Sequence, residues 1–352
     1  MRSDDKRILP QPDETVSSWL GRTLGRRQLK YGDFMAAADR LQPGIAEEFA
    51  RDPDYVAAAR WRETIGLLTH VGPDALNLVG HPPSPWVLKA GSRESVCVAC
   101  LDEDGTTGAQ YMRQAWTDSW RTVCHHHGMP LVRVPAVGWG WVTKGRAMRK
   151  RFRALVRRPG DLVPEYRKYW RVLPRPLVRC VGDTEVALLG AWSEYYRSNP
   201  AGEDHASGTQ VRVWEDLLTL VSLCWTPMAQ PSLAAAALPA KWVTSTQFLR
   251  TPTVAPAEVI DLSHFRSMPD PAARRVVVVI AGDAMLGFSH QPRADPHWKR
   301  YQWGWHHVLM TLPSPARVWL TERSRQWPAA YRQRADEWVE MALVGSSGSS
   351  RR

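Results

Sequence analysis

The chain has 352 residues, enough for two or three domains, and its 44% hydrophobic and 23% charged residues are near the averages for globular proteins. This composition excludes a mostly disordered chain, and no apolar run approaches the roughly 18 residues of a membrane span. The formal charge is +11, yet residues 133–179 alone hold 14 basic and two acidic residues, a charge of +12. The rest of the chain is therefore close to neutral.

The N-terminal 85 residues are predicted to form an extended arm and then a helix-turn-helix domain. Pro10 and Pro12 disfavour helix in the arm, residues 1–15, because proline lacks the backbone N–H. Ser17 or Ser18 is expected to cap the first helix, since a serine hydroxyl can accept a hydrogen bond from a free N–H of the first turn. The charged, proline-rich start also predicts no export signal, which favours the bacterial cytoplasm.

A helix is predicted over residues 55–69, followed by a tight turn and a second helix. Apolar residues recur at helical spacing in this stretch. Gly72 is expected to end the helix, and Pro73 suits the first position of the next one. A short turn with glycine is typical of a helix-turn-helix, but it also occurs at other corners of helical domains.

The strongest motif lies in residues 86–135, which are predicted to form a small zinc-finger module. It contains four candidate metal ligands in two short-spaced pairs: Cys97, Cys100, Cys124 and His127. Zinc prefers four such ligands in a tetrahedron, and a site filled by four protein ligands is structural rather than catalytic. One structural Zn²⁺ is therefore predicted. His125 and His126 remain alternatives to His127.

A thioredoxin-like redox pair is disfavoured for Cys97 and Cys100. No strand is predicted to lead into Cys97, and no helix is predicted after Cys100. Ordinary buried thiols are the other alternative. Cys180 and Cys224 have no partner motif and are expected to be core residues.

Residues 136–182 are predicted to form a basic, aromatic-rich connecting segment that binds nucleic acid. The predicted contact residues are Arg146, Arg149, Lys150, Arg151, Arg153, Arg157 and Arg158. Clustered cations suit a phosphate backbone, and the aromatic side chains between them suit stacking on unpaired bases. The alternative is a solvated basic face that meets an acidic protein.

A helical C-terminal domain is predicted over residues 183–344, before a flexible tail at 345–352. Its helices are predicted at residues 186–197, 211–225, 272–286, 303–312 and 316–343. The β-branched run Val276–Ile280 fits either a buried strand or a buried helix. The fold class is thus mainly α, with a helix-turn-helix domain, a zinc-finger module and a helical C-terminal domain.

Enzyme signatures are missing from the sequence. It has no phosphate-binding loop of the Gly-x-x-x-x-Gly-Lys type, no Gly-x-Ser-x-Gly elbow and no His-Glu-x-x-His. We therefore expect a protein that is not an enzyme, with no catalytic and no cofactor-binding residues.

Three stretches carry a family resemblance. They are Leu9-Pro10 through Trp19-Leu20-x-Arg22, Leu67-Leu68-Thr69-x-Val71-Gly72-Pro73-Asp74, and the block from Val96-Cys97-x-x-Cys100-Leu101-x-Glu103-Asp104-Gly105 through Tyr111-x-Arg113-x-x-Trp116 to Cys124-x-x-His127-Gly128. Together they resemble the TniQ family of transposon target-selection proteins. Trp327-Pro328-x-x-Tyr331 is similar to a motif in the helical C-terminal part of that family. His125 departs from the family, which usually has proline there.

The resemblance implies a protein without chemistry of its own. Such proteins bridge target DNA or an RNA-guided CRISPR effector to the AAA+ ATPase regulator of the transposon, which recruits the transposase. We also expect a protein that binds no membrane, that is associated with the nucleoid when it is bound to its target, and for which a homodimer is possible. The alternatives are a sequence-specific DNA-binding regulator and a pure protein adaptor with a structural zinc.

Overall fold

A computed structural model describes residues 7–55, 61–77, 79, 86–107, 110–133, 175–198, 209–223, 225, 262–268, 270–287 and 304–348. Within these residues the protein has thirteen helices and one two-stranded sheet, so the predicted mainly α class is confirmed. The chain divides into two compact units. The first is residues 1–168 with 269–271, and the second is residues 169–268 with 272–352.

Among the described residues of the first unit there are six helices and two short strands. The helices are α1 (Val16–Arg27), α2 (Tyr31–Leu41), α3 (Ile45–Arg51), α4 (Trp61–Thr69), α5 (Pro73–Leu76) and α6 (Val98–Thr107). The strands β1 (Ser95–Val96) and β2 (Val132–Arg133) pair antiparallel. Single turns of 3₁₀ helix lie at Ala90–Ser92 and Gln114–Thr117.

Thr15, and not Ser17 or Ser18, caps α1, so that prediction was wrong by two or three residues. The Thr15 hydroxyl accepts a hydrogen bond from the Ser18 backbone N–H at 3.3 Å, and the helix begins at Val16. Ser18 lies inside the helix, where its hydroxyl donates to the buried carboxylate of Glu14 at 2.8 Å. The hydrogen bond with Glu14 therefore explains why the Ser18 hydroxyl does not cap the helix. The described part of the arm before Glu14 contains no helix, as predicted.

The corner between α4 and α5 is a helix, a tight turn and a second helix, as predicted, but a different residue makes the turn. His70 takes the left-handed conformation, with φ 57°, while Gly72 has φ −62° and precedes α5. The Val71 N–H then donates to the Gly66 carbonyl at 3.0 Å. A Cβ on Gly66 would lie 2.6 Å from the Val71 oxygen, so this close approach requires glycine. Pro73 opens α5, as expected.

The core of the first unit is formed mostly by α1 to α4. Its buried apolar residues are Val16, Trp19, Leu20, Leu24, Phe34, Met35, Ala38, Ile45, Phe49, Trp61, Ile65, Val71, Leu76 and Val79. Trp19 also donates its indole N–H to the Ile8 carbonyl at 2.8 Å, which fastens the N-terminal arm across the core.

The part of the second unit that the structure describes has seven helices: α7 (Arg175–Ser198), α8 (Gln210–Ser222), α9 (Ser263–Arg266), α10 (Pro271–Leu286), α11 (Trp305–Met310), α12 (Ser314–Ser324) and α13 (Ala329–Gly348). Val276–Ile280 lies inside α10 and is helical, which settles the alternative left open by the sequence. The single helix predicted over 316–343 was wrong. The chain turns after Ser324 because Trp327 is buried there and Pro328 has no N–H to continue the helix.

A buried polar cluster joins α8 to the turn before α13. The Asp216 carboxylate accepts a hydrogen bond from the Trp327 indole N–H at 2.8 Å and pairs with Arg323 at 3.1 Å. Burial raises the pKa of Asp216 to about 6, and the charge of Arg212 opposes the shift. Cys180 is buried, as expected, whereas Cys224 lies outside the described residues.

Candidate metal centre and nucleic-acid segment

Two local structures present the four candidate metal ligands. Cys97 directly follows β1, and Cys100 lies in the first turn of α6, so helix geometry brings both thiols to one side. Cys124 and His127 lie in a tight loop that is closed by a backbone bridge between Val123 and Pro130. This loop turns at Gly128, whose φ of 59° favours glycine.

The ligand atoms converge closely enough for a single metal ion. His127 Nδ1 lies 3.6 Å from Cys97 Sγ, 3.3 Å from Cys100 Sγ and 3.8 Å from Cys124 Sγ. All four ligand atoms lie within 4.8 Å of one another. With Zn–S bonds of about 2.3 Å and a Zn–N bond of about 2.0 Å, a tetrahedron has S···S edges of about 3.8 Å and S···N edges of about 3.5 Å. The four residues therefore could hold a metal ion.

His127, and not its two neighbours, lies with the thiols. The three cysteines are buried and His127 is half-buried. His125 and His126 are exposed, and their rings stack on each other with centroids 4.0 Å apart. Among the described residues, the group of candidate ligands contains neither of them.

The close approach of three thiols favours a cation in the centre. Hydrogen bonds from Cys100 and Cys97 lower the pKa of Cys124, while the interaction with Cys124 raises the pKa of Cys100. One thiolate is thus stabilised by the other two thiols. Because neighbouring thiolates repel one another, ionisation of all three requires a bound positive charge.

The elements around Cys97 and Cys100 differ from those predicted, so both reasons given against a redox pair were wrong. A strand, β1, does lead into Cys97, and a helix, α6, does contain Cys100. A redox pair is instead disfavoured by the second pair of candidate ligands, Cys124 and His127. Cys100 Sγ lies 3.6 Å from Cys124 Sγ, so a third thiol and an imidazole share the space that a two-thiol redox site would leave open.

Glu103 is a residue of this site that was not predicted from the sequence. Its Oε1 lies 2.9 Å from His127 Nε2, the ring nitrogen that points away from the thiols. Glu103 follows Cys100 by three residues on α6, and residues at this spacing lie on one side of a helix. That spacing was the signal available in the sequence.

The metal-site segment and the N-terminal helices are interlocked within the first unit. The Thr15 N–H donates to the Met112 carbonyl at 2.9 Å, and the Met112 N–H donates to the Ser18 hydroxyl at 3.0 Å. The Gln114 N–H donates to the Asp13 carbonyl at 2.7 Å. The start of α1 is therefore held by the segment between the two ligand pairs.

Buried charges strengthen this connection. Arg93, which is almost fully buried, pairs with Asp52 and also with Asp54, at 3.0 Å. Asp54 in turn accepts a hydrogen bond from the Ser17 N–H at 2.7 Å. Burial acts to lower the pKa of Arg93, but the hydrogen bond and negative charges of its two partners outweigh it and the pKa is raised. Arg93 therefore stays charged and links the end of α3 to the chain before β1.

The first family-like motif has a structural role. The Glu14 carboxylate is fully buried, and its two oxygens accept hydrogen bonds from Arg22 at 2.8 and 2.5 Å. Ser18 and the Gln11 N–H supply two further hydrogen bonds, at 2.8 and 2.9 Å. Burial raises the pKa of Glu14, and the hydrogen bond and charge of Arg22 oppose the shift. The motif locks the arm onto α1.

The predicted nucleic-acid contacts lie outside the described residues. They are Arg146, Arg149, Lys150, Arg151, Arg153, Arg157 and Arg158. On α4 and α5, the Leu67 side chain is 65% exposed and the carboxylates Glu63 and Asp74 are exposed. The Arg62 guanidinium of α4 donates a hydrogen bond to the Asn77 side chain at 2.8 Å, so these two helices present both acidic and basic groups.

Across the described part of the chain, every helix is too short or too polar to cross a lipid bilayer. This finding agrees with the absence of long apolar runs in the sequence.

The comparisons with known proteins point to one family. The TniQ family model matches residues 7–131, which include α1 to α6 and all four candidate metal ligands. The chain matches none of the curated proteins and none of the solved structures. Residues 7–131, about a third of the chain, are thus similar to the TniQ family.

Proposed function

We propose that this chain is a non-catalytic target-selection protein of a transposon. It bridges target DNA, or an RNA-guided CRISPR effector on that DNA, to the AAA+ ATPase regulator and through it to the transposase. The observation that carries the proposal is the match of residues 7–131 to the TniQ family. The enzyme motifs missing from the sequence support a role in recognition rather than catalysis.

In this proposal the metal is a structural Zn²⁺. Three thiolates and one imidazole form a site that favours zinc over magnesium or calcium, because those two ions prefer oxygen ligands. Four protein ligands would leave no position for a reacting water, so the ion would supply folding energy and no chemistry. The interlocked hydrogen bonds of Met112 and Asp13 support a role for the ion in stabilising the whole family-matched segment.

The basic residues between 146 and 158 are the proposed contact with nucleic acid. Seven cations in 13 residues would neutralise phosphates and release counterions, which gives affinity without sequence preference. We place the protein contact elsewhere, on the face of α4 and α5. Leu67 is 65% exposed there, and an exposed leucine suits a protein partner better than a phosphate backbone.

The proposal can be tested by binding experiments with the full-length chain. The immobilised protein is mixed with the AAA+ ATPase encoded by the same element and with a random-sequence DNA duplex. The expected result is retention of both, with DNA affinity that falls log-linearly as salt is raised. If the ATPase is not retained with ATP, with ADP or without nucleotide, the bridging role is contradicted.

A pure protein adaptor is the second candidate, and the exposed Leu67 side chain of α4 favours it. The two candidates differ in the expected behaviour of a variant with Arg149, Lys150, Arg151 and Arg153 changed to Gln. A DNA-contacting protein should lose affinity and about four units of salt slope at most, since each phosphate contact contributes about 0.9. An adaptor should retain the ATPase and show no change in either DNA parameter.

A further inference from the structure

The imidazole of His127 is held from both sides. Its Nδ1 faces the three thiols at 3.3 to 3.8 Å, and its Nε2 lies 2.9 Å from Glu103 Oε1. When one nitrogen of a histidine binds a metal, the other carries the proton and becomes a donor. A carboxylate that accepts this proton fixes both the tautomer and the orientation of the ring.

The helix that carries Glu103 is itself fixed by the next residue. The Asp104 carboxylate accepts two hydrogen bonds from Arg113, at 2.8 and 2.9 Å. The Arg113 guanidinium also lies over the rings of Tyr111 and Trp116, at 4.4 and 5.0 Å from their centroids. Rotation of α6 would break this planar, two-point contact. Glu103 is therefore presented to His127 by a helix whose rotation is already restrained.

The Glu103 side chain is 69% exposed, so packing does not explain its position. A surface carboxylate that pairs with histidine contributes little to stability on its own. The same contact has a larger effect when it orients a metal ligand, because the ring must then be presented in one tautomer and at one angle.

We infer that Glu103 is a positioning residue of the metal site, which holds His127 with Nδ1 toward the thiolates and so slows the release of the ion. The inference rests on the zinc proposed above. Glu103 is not one of the four ligands, so it would raise the affinity for the ion without contacting it.

The test compares metal release from three full-length variants with wild type. Zn²⁺-loaded protein is mixed with a chromogenic chelator, and both the release rate and the competition affinity are measured. Glu103→Ala is expected to weaken binding by 10- to 100-fold. Glu103→Gln is expected to recover most of the loss, because its amide oxygen can accept the Nε2 proton. Asp102→Asn is the matched control, since it removes an exposed charge from the preceding residue of α6.

A second measurement distinguishes a loss of His127 orientation from the mere loss of a negative charge on α6. With ¹⁵N-labelled histidine, wild type is expected to show His127 with a protonated Nε2 and a metal-bound Nδ1. Glu103→Ala should broaden or shift this signal, and Asp102→Asn should leave it in place.

The outcomes are distinguishable. If Glu103→Ala binds and releases zinc like Asp102→Asn, the positioning role is overturned while the zinc site stands. If purified wild type holds no zinc and takes up none, the proposed metal fails and this inference fails with it.

Discussion

At the scale of single residues, the metal site depends on one imidazole among three consecutive histidines. His127 Nδ1 lies within 3.8 Å of three thiols, whereas His125 and His126 are exposed. Spacing alone favoured His127 but could not exclude its neighbours, because the direction in which a loop presents its side chains depends on the turn. Here the turn depends on Gly128 and its positive φ.

His127→Asn should therefore lose the metal, and His126→Asn should keep it. Loss of one of four ligands reduces the affinity of a structural zinc strongly, because binding free energies are on the order of 10 kcal/mol. Zinc content per chain is measured by mass spectrometry after dialysis, together with the melting temperature. Equal zinc content in the two variants would show that the ligand set is different.

The buried pair of Glu14 and Arg22 gives a second prediction at this scale. Glu14→Ala leaves the Arg22 cation in a mostly buried position without its carboxylate, and such losses typically cost about 3 to 5 kcal/mol. The matched control is Glu47→Ala, which removes an i,i+4 pair with Arg51 whose two side chains are 71% and 76% exposed. That variant should change the free energy of unfolding by about 0.5 kcal/mol or less. Urea unfolding of both variants provides the measurement, and equal losses would contradict the account.

At the scale of elements, the corner between α4 and α5 depends on a glycine that no sequence motif had singled out. A Cβ on Gly66 would lie 2.6 Å from the Val71 carbonyl oxygen, and this oxygen belongs to a backbone held by the turn. The predicted Gly72 has φ −62° and makes no such demand.

Gly66→Ala should destabilise the protein by about 1 to 3 kcal/mol, the usual cost of forcing an atom into a packed site. Gly32→Ala is the control, since Gly32 lies in α2 and a Cβ added there would have no other atom within 4 Å. Alanine there should be neutral or stabilise by up to about 1 kcal/mol. Thermal and urea unfolding compare the two. Destabilisation by Gly32→Ala but not Gly66→Ala would show that the corner is built differently.

The Asp216 cluster in the second unit should make stability depend on pH. The pKa of Asp216 is about 6 in the folded protein against 3.8 for the free side chain, so between these values the folded state binds more protons. Stability from this group therefore falls as pH rises from about 4 to about 6, by at most about 3 kcal/mol. Asp216→Asn keeps an acceptor for Trp327 but cannot titrate.

Unfolding of wild type and Asp216→Asn at a series of pH values tests this prediction. The stability of wild type relative to the variant should decline up to about pH 6 and stay constant above it. Parallel curves across the whole range would contradict the assignment of this titration to Asp216.

At the scale of the whole molecule, the sequence was most informative where residues close together in the chain determine the local structure. The spacing of Cys97, Cys100, Cys124 and His127 predicted which side chains meet, because each pair lies within one turn of chain. The break between α12 and α13 was also available from Pro328, but the apolar periodicity on both sides obscured it.

The features that could not be predicted depend on contacts between distant residues. Thr15 caps α1 because Glu14 and Met112 occupy the hydroxyl of Ser18. Arg93 lies buried because Asp52 and Asp54 come to it from about 40 positions earlier in the chain. No local pattern of charge or hydropathy encodes such pairs, since each member alone is typical of a surface.

Under the function proposed above, the chain selects the sites at which a transposon inserts. Insertions can be mapped in cells that carry the transposase and the AAA+ ATPase of the same element, with and without this chain. We expect insertions concentrated at a defined target only when the chain is present, with the His127→Asn variant much reduced and His126→Asn unaffected. An insertion pattern that is the same with and without the chain would contradict the proposed function.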